Sequence, residues 1–271
     1  MAIQLVAANY GYLYQKSLEE SLRSIASHGF RALELTPLPP HTSSPPYNPY
    51  ETRALKRLLS NLGIACISVN PSFTDLNLIS TNTEFRELSY QQLAQNLELA
   101  HDLEASLLVV IPGRKNALIP VPDEDALPVL KAQLARLLER ADALGITISL
   151  ENSPYGFMQT AQEMLAIVRD LKHPRLKLTY DSANGYASEN PAAGVTAVAE
   201  YLGLTHISDS WKGRWAHTQI GKGEIDFAAF AGALRSVGYK GATVYELVDG
   251  LDPDARFPVD IPVLAQYGWA V

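Results

Sequence analysis

From Thr147 to Asp181 the chain reads TISLEN, SPYGFMQTAQEMLAIVRDLKHPR and LKLTYD in succession. The two outer pieces are short apolar runs of strand length. The middle piece carries Thr160 and Glu163 at capping-box spacing, then Met164, Ile167, Val168 and Leu171 at helical spacing. Strand, helix and strand in that order predict a β–α–β unit of a parallel sheet covered by helices. Each apolar run also delivers a carboxylate at or next to its end, Glu151 in the first and Asp181 in the second.

The same pattern continues outward. LTHISD at Leu204–Asp209 delivers His206, and ATVYEL at 242–247 delivers Glu246. Upstream, strand-like runs fall at Ile3–Asn9, Ala32–Pro37, Ile64–Asn70 and Ser106–Gly113, and the last run extends to Val248. Helical stretches separate them. Ser17 with Glu20 opens one that stops at Gly29, Asp125–Leu144 carries a leucine stripe and stops at Gly145, and Asp226 caps Phe227–Val237. Eight β-then-α units in 271 residues predict a single (β/α)8 TIM barrel of class α/β. No Gly-x-Gly-x-x-Gly follows the first strand, which argues against a dinucleotide-binding sheet. No low-complexity linker divides residues 1–271, so the chain reads as one domain. Two long segments, Thr36–Tyr50 with its six prolines and Pro71–Ser89, are expected as loops on the C-terminal face of the barrel.

Composition narrows the function classes. At 47% hydrophobic residues and 19% charged the chain can bury a large core. A net charge of −7 argues against gripping a phosphate backbone, and no nucleic-acid partner is expected. The one cysteine, Cys66 in IACISV, reads as a buried apolar side chain. No run is long enough to span a bilayer, and the first residues, MAIQLVAANYGY, lack the features of a signal peptide. The expectation is a cytoplasmic protein without a membrane partner, with homo-oligomerisation left open.

In a parallel barrel, residues at the C-terminal ends of different strands converge over the mouth. Glu151, Asp181, His206 and Glu246 would come from four consecutive strands, five to eight. Three carboxylates and one imidazole suit one divalent cation, Mn²⁺ first, with Mg²⁺, Co²⁺ or Zn²⁺ as alternatives. Each residue taken alone has a plainer reading, as a helix cap or a solvated loop charge. The joint occurrence favours the metal.

Several stretches resemble the xylose isomerase-like TIM barrels, a family that includes sugar and sugar phosphate isomerases and epimerases and, more distantly, the endonuclease IV group. They are SLENS at Glu151, YDSANGY at Asp181, HISDS at His206, HTQIGKGEIDF at His217–Phe227, VYELV at Glu246 and DLNLISTNTEFR at Asp75–Arg86. The resemblance spans nearly the whole chain, and IGKGEIDF is its most specific motif. It implies a single metal held by Glu151, Asp181, His206 and Glu246, with Glu151 and Glu246 also acting as an acid–base pair. On a ketose or another carbohydrate-like substrate, the pair would move a proton through an enediolate.

Departures from the family pattern are informative. Where the endonuclease group has a His-Pro-Gly at the fourth strand, this chain has Ile111-Pro112-Gly113. Its histidine three residues after the strand-six aspartate is Asn184, and its Asp-x-His becomes Trp215-Ala216-His217. A three-metal phosphodiesterase site therefore lacks its ligands. Asn184 and His217 remain as candidate substrate-binding residues, joined by Trp211, Lys212 and Arg214 of the expected loop SWKGRWA, 210–216. Lys212 and Arg214 could meet a carboxylate or phosphate, and the indoles of Trp211 and Trp215 could stack on a sugar face. Asn9, Glu34, Arg114 and Lys115 sit where they could line a pocket or simply hold loops. Two alternatives to an isomerase or epimerase stand. One is a dehydratase of inosose or dehydroshikimate type, which shares the proton abstraction. The other is a non-catalytic carbohydrate-binding barrel.

Overall fold

The computed structural model describes residues 2–71, 75–154, 156–248 and 250–271. Eight parallel strands close on themselves: β1 (Ile3–Ala8), β2 (Ala32–Leu35), β3 (Ala65–Val69), β4 (Leu107–Val110), β5 (Thr147–Glu151), β6 (Leu176–Asp181), β7 (Leu202–Ile207) and, two short strands later, β10 (Thr243–Tyr245). Each pairs with the next, and β10 closes on β1 with Val6 opposite Val244. The helices α1 (Leu18–Ser27), α2 (Pro49–Leu62), α3 (Thr83–Asp102), α4 (Asp123–Leu144), α5 (Ala161–Leu171), α6 (Ser182–Tyr186), α7 (Pro191–Ala197), α8 (Phe227–Ser236) and α9 (Pro253–Tyr267) lie between strands. This is the (β/α)8 barrel that the alternation of patterns predicts. A short β11 (Trp269–Ala270) adds to β1 at the opposite end from the mouth, with Ile3 opposite Trp269. Among the described residues no helix is long and apolar enough to cross a membrane.

Local chemistry accounts for the helix boundaries. Ser17 and Glu20 form a reciprocal capping box on α1, and Thr160 and Glu163 do the same on α5. Helices α2 and α4 end at Gly63 and Gly145, whose φ of 64° and 75° are left-handed. Two sequence expectations shift. The segment at 71–89 is shorter as a loop, because Asn82 accepts from the Glu84 and Phe85 amides and starts α3 at Thr83; residues 72–74 of it lie outside the described residues. The segment 210–216 is no loop but most of a hairpin, β8 (Asp209–Trp211) against β9 (Arg214–Thr218), inserted between β7 and α8.

Several strands also end earlier than their apolar runs. Pro37 and Pro112 have no N–H to continue a ladder, and Gly113 has φ +117°. Glu246 also stands one residue beyond β10, its backbone N–H still donating to the Ile207 carbonyl at 3.0 Å. Side chains two apart on a strand share a face. The inward set Val6, Ala8, Ala32, Val109, Leu204 and Val244 forms a small apolar cluster inside the barrel, while the large cluster of Leu, Ile and Phe side chains lies between barrel and helices. By the same parity Glu151 shares a face with Ser149, Asp181 with Thr179, His206 with Leu204 and Glu246 with Val244. The four donors therefore point into the barrel mouth.

Candidate metal centre

One ligand atom from each of Glu151, Asp181, His206 and Glu246 lies within 4.8 Å of the other three, and all four residues are buried. His206 Nδ1 is 3.2 Å from Glu151 Oε1, 3.8 Å from Glu246 Oε2 and 3.9 Å from Asp181 Oδ2. The strand register delivers them: Asp181 sits opposite His206 across β6–β7, and His206 sits opposite Val244, two residues before Glu246. Two atoms in this ring are buried without a hydrogen-bond partner, Asp181 Oδ2 and His206 Nδ1. An orphaned carboxylate oxygen and an orphaned imidazole nitrogen, side by side, are costly unless something positive lies between them. The donor set thus fits a divalent cation bound by three oxygens and one nitrogen.

The atoms facing away from that point are held. Asp181 Oδ1 accepts the Asn184 amide at 2.7 Å, which leaves Oδ2 as the free oxygen. Glu34, fully buried at the end of β2, accepts from His206 Nε2 at 3.2 Å. A carboxylate accepts only, so in the neutral ring the His206 proton sits on Nε2 and the Nδ1 lone pair faces the three carboxylates. Ser68 Oγ at 2.8 Å and Asn70 Nδ2 at 3.0 Å hold Glu34 in turn, and Asn70 reaches Glu246 Oε1 at 3.4 Å. Glu34 is thus a support for the His206 ring. Its signal in the sequence is one ionisable residue inside the apolar run ALEL.

Without a cation the cluster manages its charge with protons. Burial pushes the Glu151 carboxyl up to about 7, partly offset by His206 and reinforced by Glu246 and Asp181. Burial also raises Asp181. For His206 burial favours the neutral ring, but Glu34, Glu151 and Glu246 outweigh it and hold the pKa well above the usual value. His217 is lifted to about 9, burial being overcome by Asp181, Glu246 and Glu151. Glu246 is lowered, because His206 and His217 more than offset its burial.

The ring opens into a cavity of about 130 Å³ whose wall includes Tyr10, Thr36, Glu151, Asn184, Trp215, His217 and Glu246. Thr36 Oγ1 is buried there without a partner, a hydroxyl that the proline-rich context of the sequence does not single out. His217 Nδ1 lies 2.9 Å from Ser208 Oγ and 3.2 Å from Glu246 Oε2. Asn184 lies at the start of α6, its Nδ2 3.2 Å from Glu151 Oε1.

Trp211, Lys212 and Arg214 are not on the cavity wall. They occupy the outer end of the β8–β9 hairpin, where the Arg214 guanidinium stacks over the Trp211 ring at 4.7 Å and the Lys212 side chain is exposed. The hairpin turns the alternate residues Trp215 and His217 toward the cavity instead. Asn9 clamps β1 to β2 through both backbone groups of Thr36. Lys115 pairs with Asp123 at the mouth of a separate surface cavity that Arg114 also lines.

The IGKGEIDF run is explained by Asp209. Its carboxylate accepts from the amides of Gly221, Gly223 and Ile225 at 2.9, 2.8 and 3.2 Å. A Cβ on Gly223 would meet Asp209 Oδ1 at 2.3 Å. The motif folds the return from the hairpin around a buried aspartate. Asn77 clamps the loop after β3 to Arg114 in the same manner, donating to its carbonyl at 2.9 Å and accepting its amide at 3.2 Å.

Comparison with known proteins agrees with this architecture. An uncharacterized protein of Methanocaldococcus jannaschii is 29% identical over 237 residues, 85% of this chain and 79% of the relative. A ketose 3-epimerase of Arthrobacter globiformis is 32% identical over 120 residues, 43% of this chain and 40% of the relative. The crystal structure of a D-tagatose 3-epimerase-like protein matches with a TM-score of 0.86 at 26% identity, covering 98% of this chain and 97% of that one. The sequence pattern of the xylose isomerase-like TIM barrels matches residues 22–267, and the chain belongs to that family.

Proposed function

We propose that this protein is a divalent-metal-dependent isomerase or epimerase of a ketose or a related polyhydroxy carbonyl compound. The observation that carries the reading is the pairing of Glu151 and Glu246. They come from β5 and from just beyond β10, converge on one imidazole, and both reach the wall of the same cavity. The similarity to a ketose 3-epimerase and to a D-tagatose 3-epimerase-like protein supports it.

Glu151, Asp181, His206 and Glu246 would hold the ion, Mn²⁺ by preference. A bound divalent cation supplies electrostatic stabilisation of negative charge on a carbonyl oxygen and acidifies the neighbouring C–H. The protein's own side chains do the proton transfer. One glutamate takes the proton from the carbon beside the carbonyl, so that the C–H bond breaks and a carboxyl O–H forms, leaving an enediolate. The other glutamate returns a proton to the opposite face, and the configuration inverts. Glu34 keeps the His206 ring in the tautomer that leaves Nδ1 available. The His217 ring lines the cavity, where substrate hydroxyls need partners.

Incubation of the Mn²⁺-loaded protein with a panel of ketoses in D₂O tests the reading. Deuterium should enter the carbon next to the carbonyl. Absence of exchange with every ketose, or less than a stoichiometric divalent ion bound at saturation, overturns it.

A further inference from the structure

Asn184 lines the cavity, yet every hydrogen-bonding position of its side chain is already used inside the protein. Oδ1 accepts from Trp215 Nε1 at 2.7 Å and faces His217 Nε2 at 3.2 Å. Nδ2 donates to Glu151 Oε1 at 3.2 Å and to the Asn152 carbonyl at 2.9 Å. An amide has two donors and an acceptor oxygen with two lone pairs, so nothing is left for a substrate hydroxyl. The orientation is fixed as well. Turning the amide over would set its oxygen against the Glu151 carboxylate and the Asn152 carbonyl, and its NH₂ against the indole N–H.

We infer that Trp215 is a positioning residue for the metal centre: its indole N–H locks Asn184, and Asn184 aims Glu151 by its side chain and Asp181 by its backbone N–H. The indole is placed for this by the hairpin. Residues alternate across a strand, so β9 sends Trp215 and His217 to the same side, and their rings meet edge to face at 5.6 Å. Asn184 reaches both carboxylates because α6 begins directly at the end of β6, with Asp181 as its N-cap. Glu151 thus depends on the Asn184 side-chain amide, and that amide depends on an indole from the far side of the β8–β9 insertion, while Asp181 is held by the backbone N–H of the same residue. The role concerns Glu151 and Asp181 as ligands and rests on the proposed reading only in taking Glu151 as a base also.

Metal affinity separates this from a substrate contact. Calorimetric titration of the metal-free protein with Mn²⁺ should show weaker binding in Asn184→Ala by ~10–100-fold, the usual effect of losing the group that orients a ligand. Trp215→Phe keeps the ring and deletes the N–H, and should weaken Mn²⁺ binding in the same direction by a smaller factor. Because both act through one chain of contacts, the double variant should bind no more weakly than Asn184→Ala alone. With substrate, both single variants should lose kcat more than KM. Wild-type Mn²⁺ affinity in folded Asn184→Ala, or in folded Trp215→Phe, overturns the inference. So do effects that multiply in the double variant, or a rise in KM with kcat and metal affinity unchanged. Thermal melting of the metal-free variants reports folding, and Asn184→Ala alone decides the matter if Trp215→Phe does not fold. A wild-type protein that binds Mn²⁺ but exchanges no ketose proton would sink the proposed function and leave the affinity comparison intact.

Discussion

Two carboxylate-centred clusters sit on this barrel, and they solve the same electrostatic problem in opposite ways. At the mouth, Glu151, Asp181 and Glu246 crowd around His206 with Asp181 Oδ2 and His206 Nδ1 unpartnered. At the start of α9, Asp254 is surrounded by donors: the Tyr12 hydroxyl, the Lys16 ammonium, the Ser24 hydroxyl and His28 Nε2 at 3.2 Å. Burial works against the Asp254 charge, but Lys16, Ser24 and Tyr12 overcome it and hold the carboxyl well below the usual range. At the mouth, burial raises Glu151 and Asp181. A cluster that contains its own counter-charges is a strut, here tying the segment after β1 and helix α1 to α9. One that contains mostly acceptors is a socket for something positive. The pattern of donors, more than the presence of acids, separates structural clusters from sites.

Neutralising an acid in each cluster should have inverse effects. Glu151→Gln and Glu246→Gln keep the shape of the mouth and remove a base, so deuterium exchange should fall by ~10²–10⁴-fold. The metal-free Glu151→Gln protein should melt no lower than wild type, because the charge it removes is one that burial disfavours. Either variant retaining wild-type exchange refutes the assigned role. Asp254→Asn should leave turnover unchanged and lower stability by ~1–3 kcal/mol, the range for charge-assisted hydrogen bonds in a partly buried setting. In a chain of this size each kcal/mol corresponds to ~2–4 °C in Tm, a shift readily seen by calorimetry. A stable Asp254→Asn, or an inactive one, would collapse the distinction between strut and socket.

The two clusters were also unequally legible in the sequence. The mouth could be read because strand ends are punctuated: each apolar run delivers a donor at or near its end, and barrel topology alone brings consecutive strand ends together. The capping boxes at Ser17 and Thr160 were legible for a similar reason, since partners three residues apart need no tertiary knowledge. The Asp254 strut was invisible, because its partners lie 226 to 242 residues away and carry no spacing signal. Glu34 was visible as an acid in a strand, but its bond to His206 across the barrel, 172 residues on, depends on register. The segment 210–216 reads as a loop in the sequence but is most of a hairpin. Read as a loop, the segment leaves both Trp211 and Trp215 eligible to stack on a sugar face. The Gly213 turn, with φ +77°, instead places Trp211 beside Arg214 on the outside and sends Trp215 inward.

The smallest expected effect is a pH dependence, and it has opposite character in the two clusters. In the metal-free fold Glu151 is raised to about 7. The stability it contributes is full below the unfolded carboxylate pKa and is lost as pH rises through 7. His217, raised to about 9, has the same sign, with its contribution full below the unfolded imidazole value and lost toward 9. Glu246 is lowered and has the reverse sign, but its contribution is complete once the pH is above the unfolded carboxylate value. From about pH 6 to 8 the metal-free protein should therefore lose stability from the mouth, by linkage to those protons. Mn²⁺ competes with the same protons, so its affinity should rise across that interval. The increase in Tm produced by saturating Mn²⁺ should be larger at pH 8 than at pH 6, by about a few degrees. Asp254 stays ionised throughout, and the Tm lost in Asp254→Asn should be the same at both ends. An Mn²⁺ increment that is flat or falls with pH would mean that protons and cation do not share the mouth. The socket would then need some other source of positive charge.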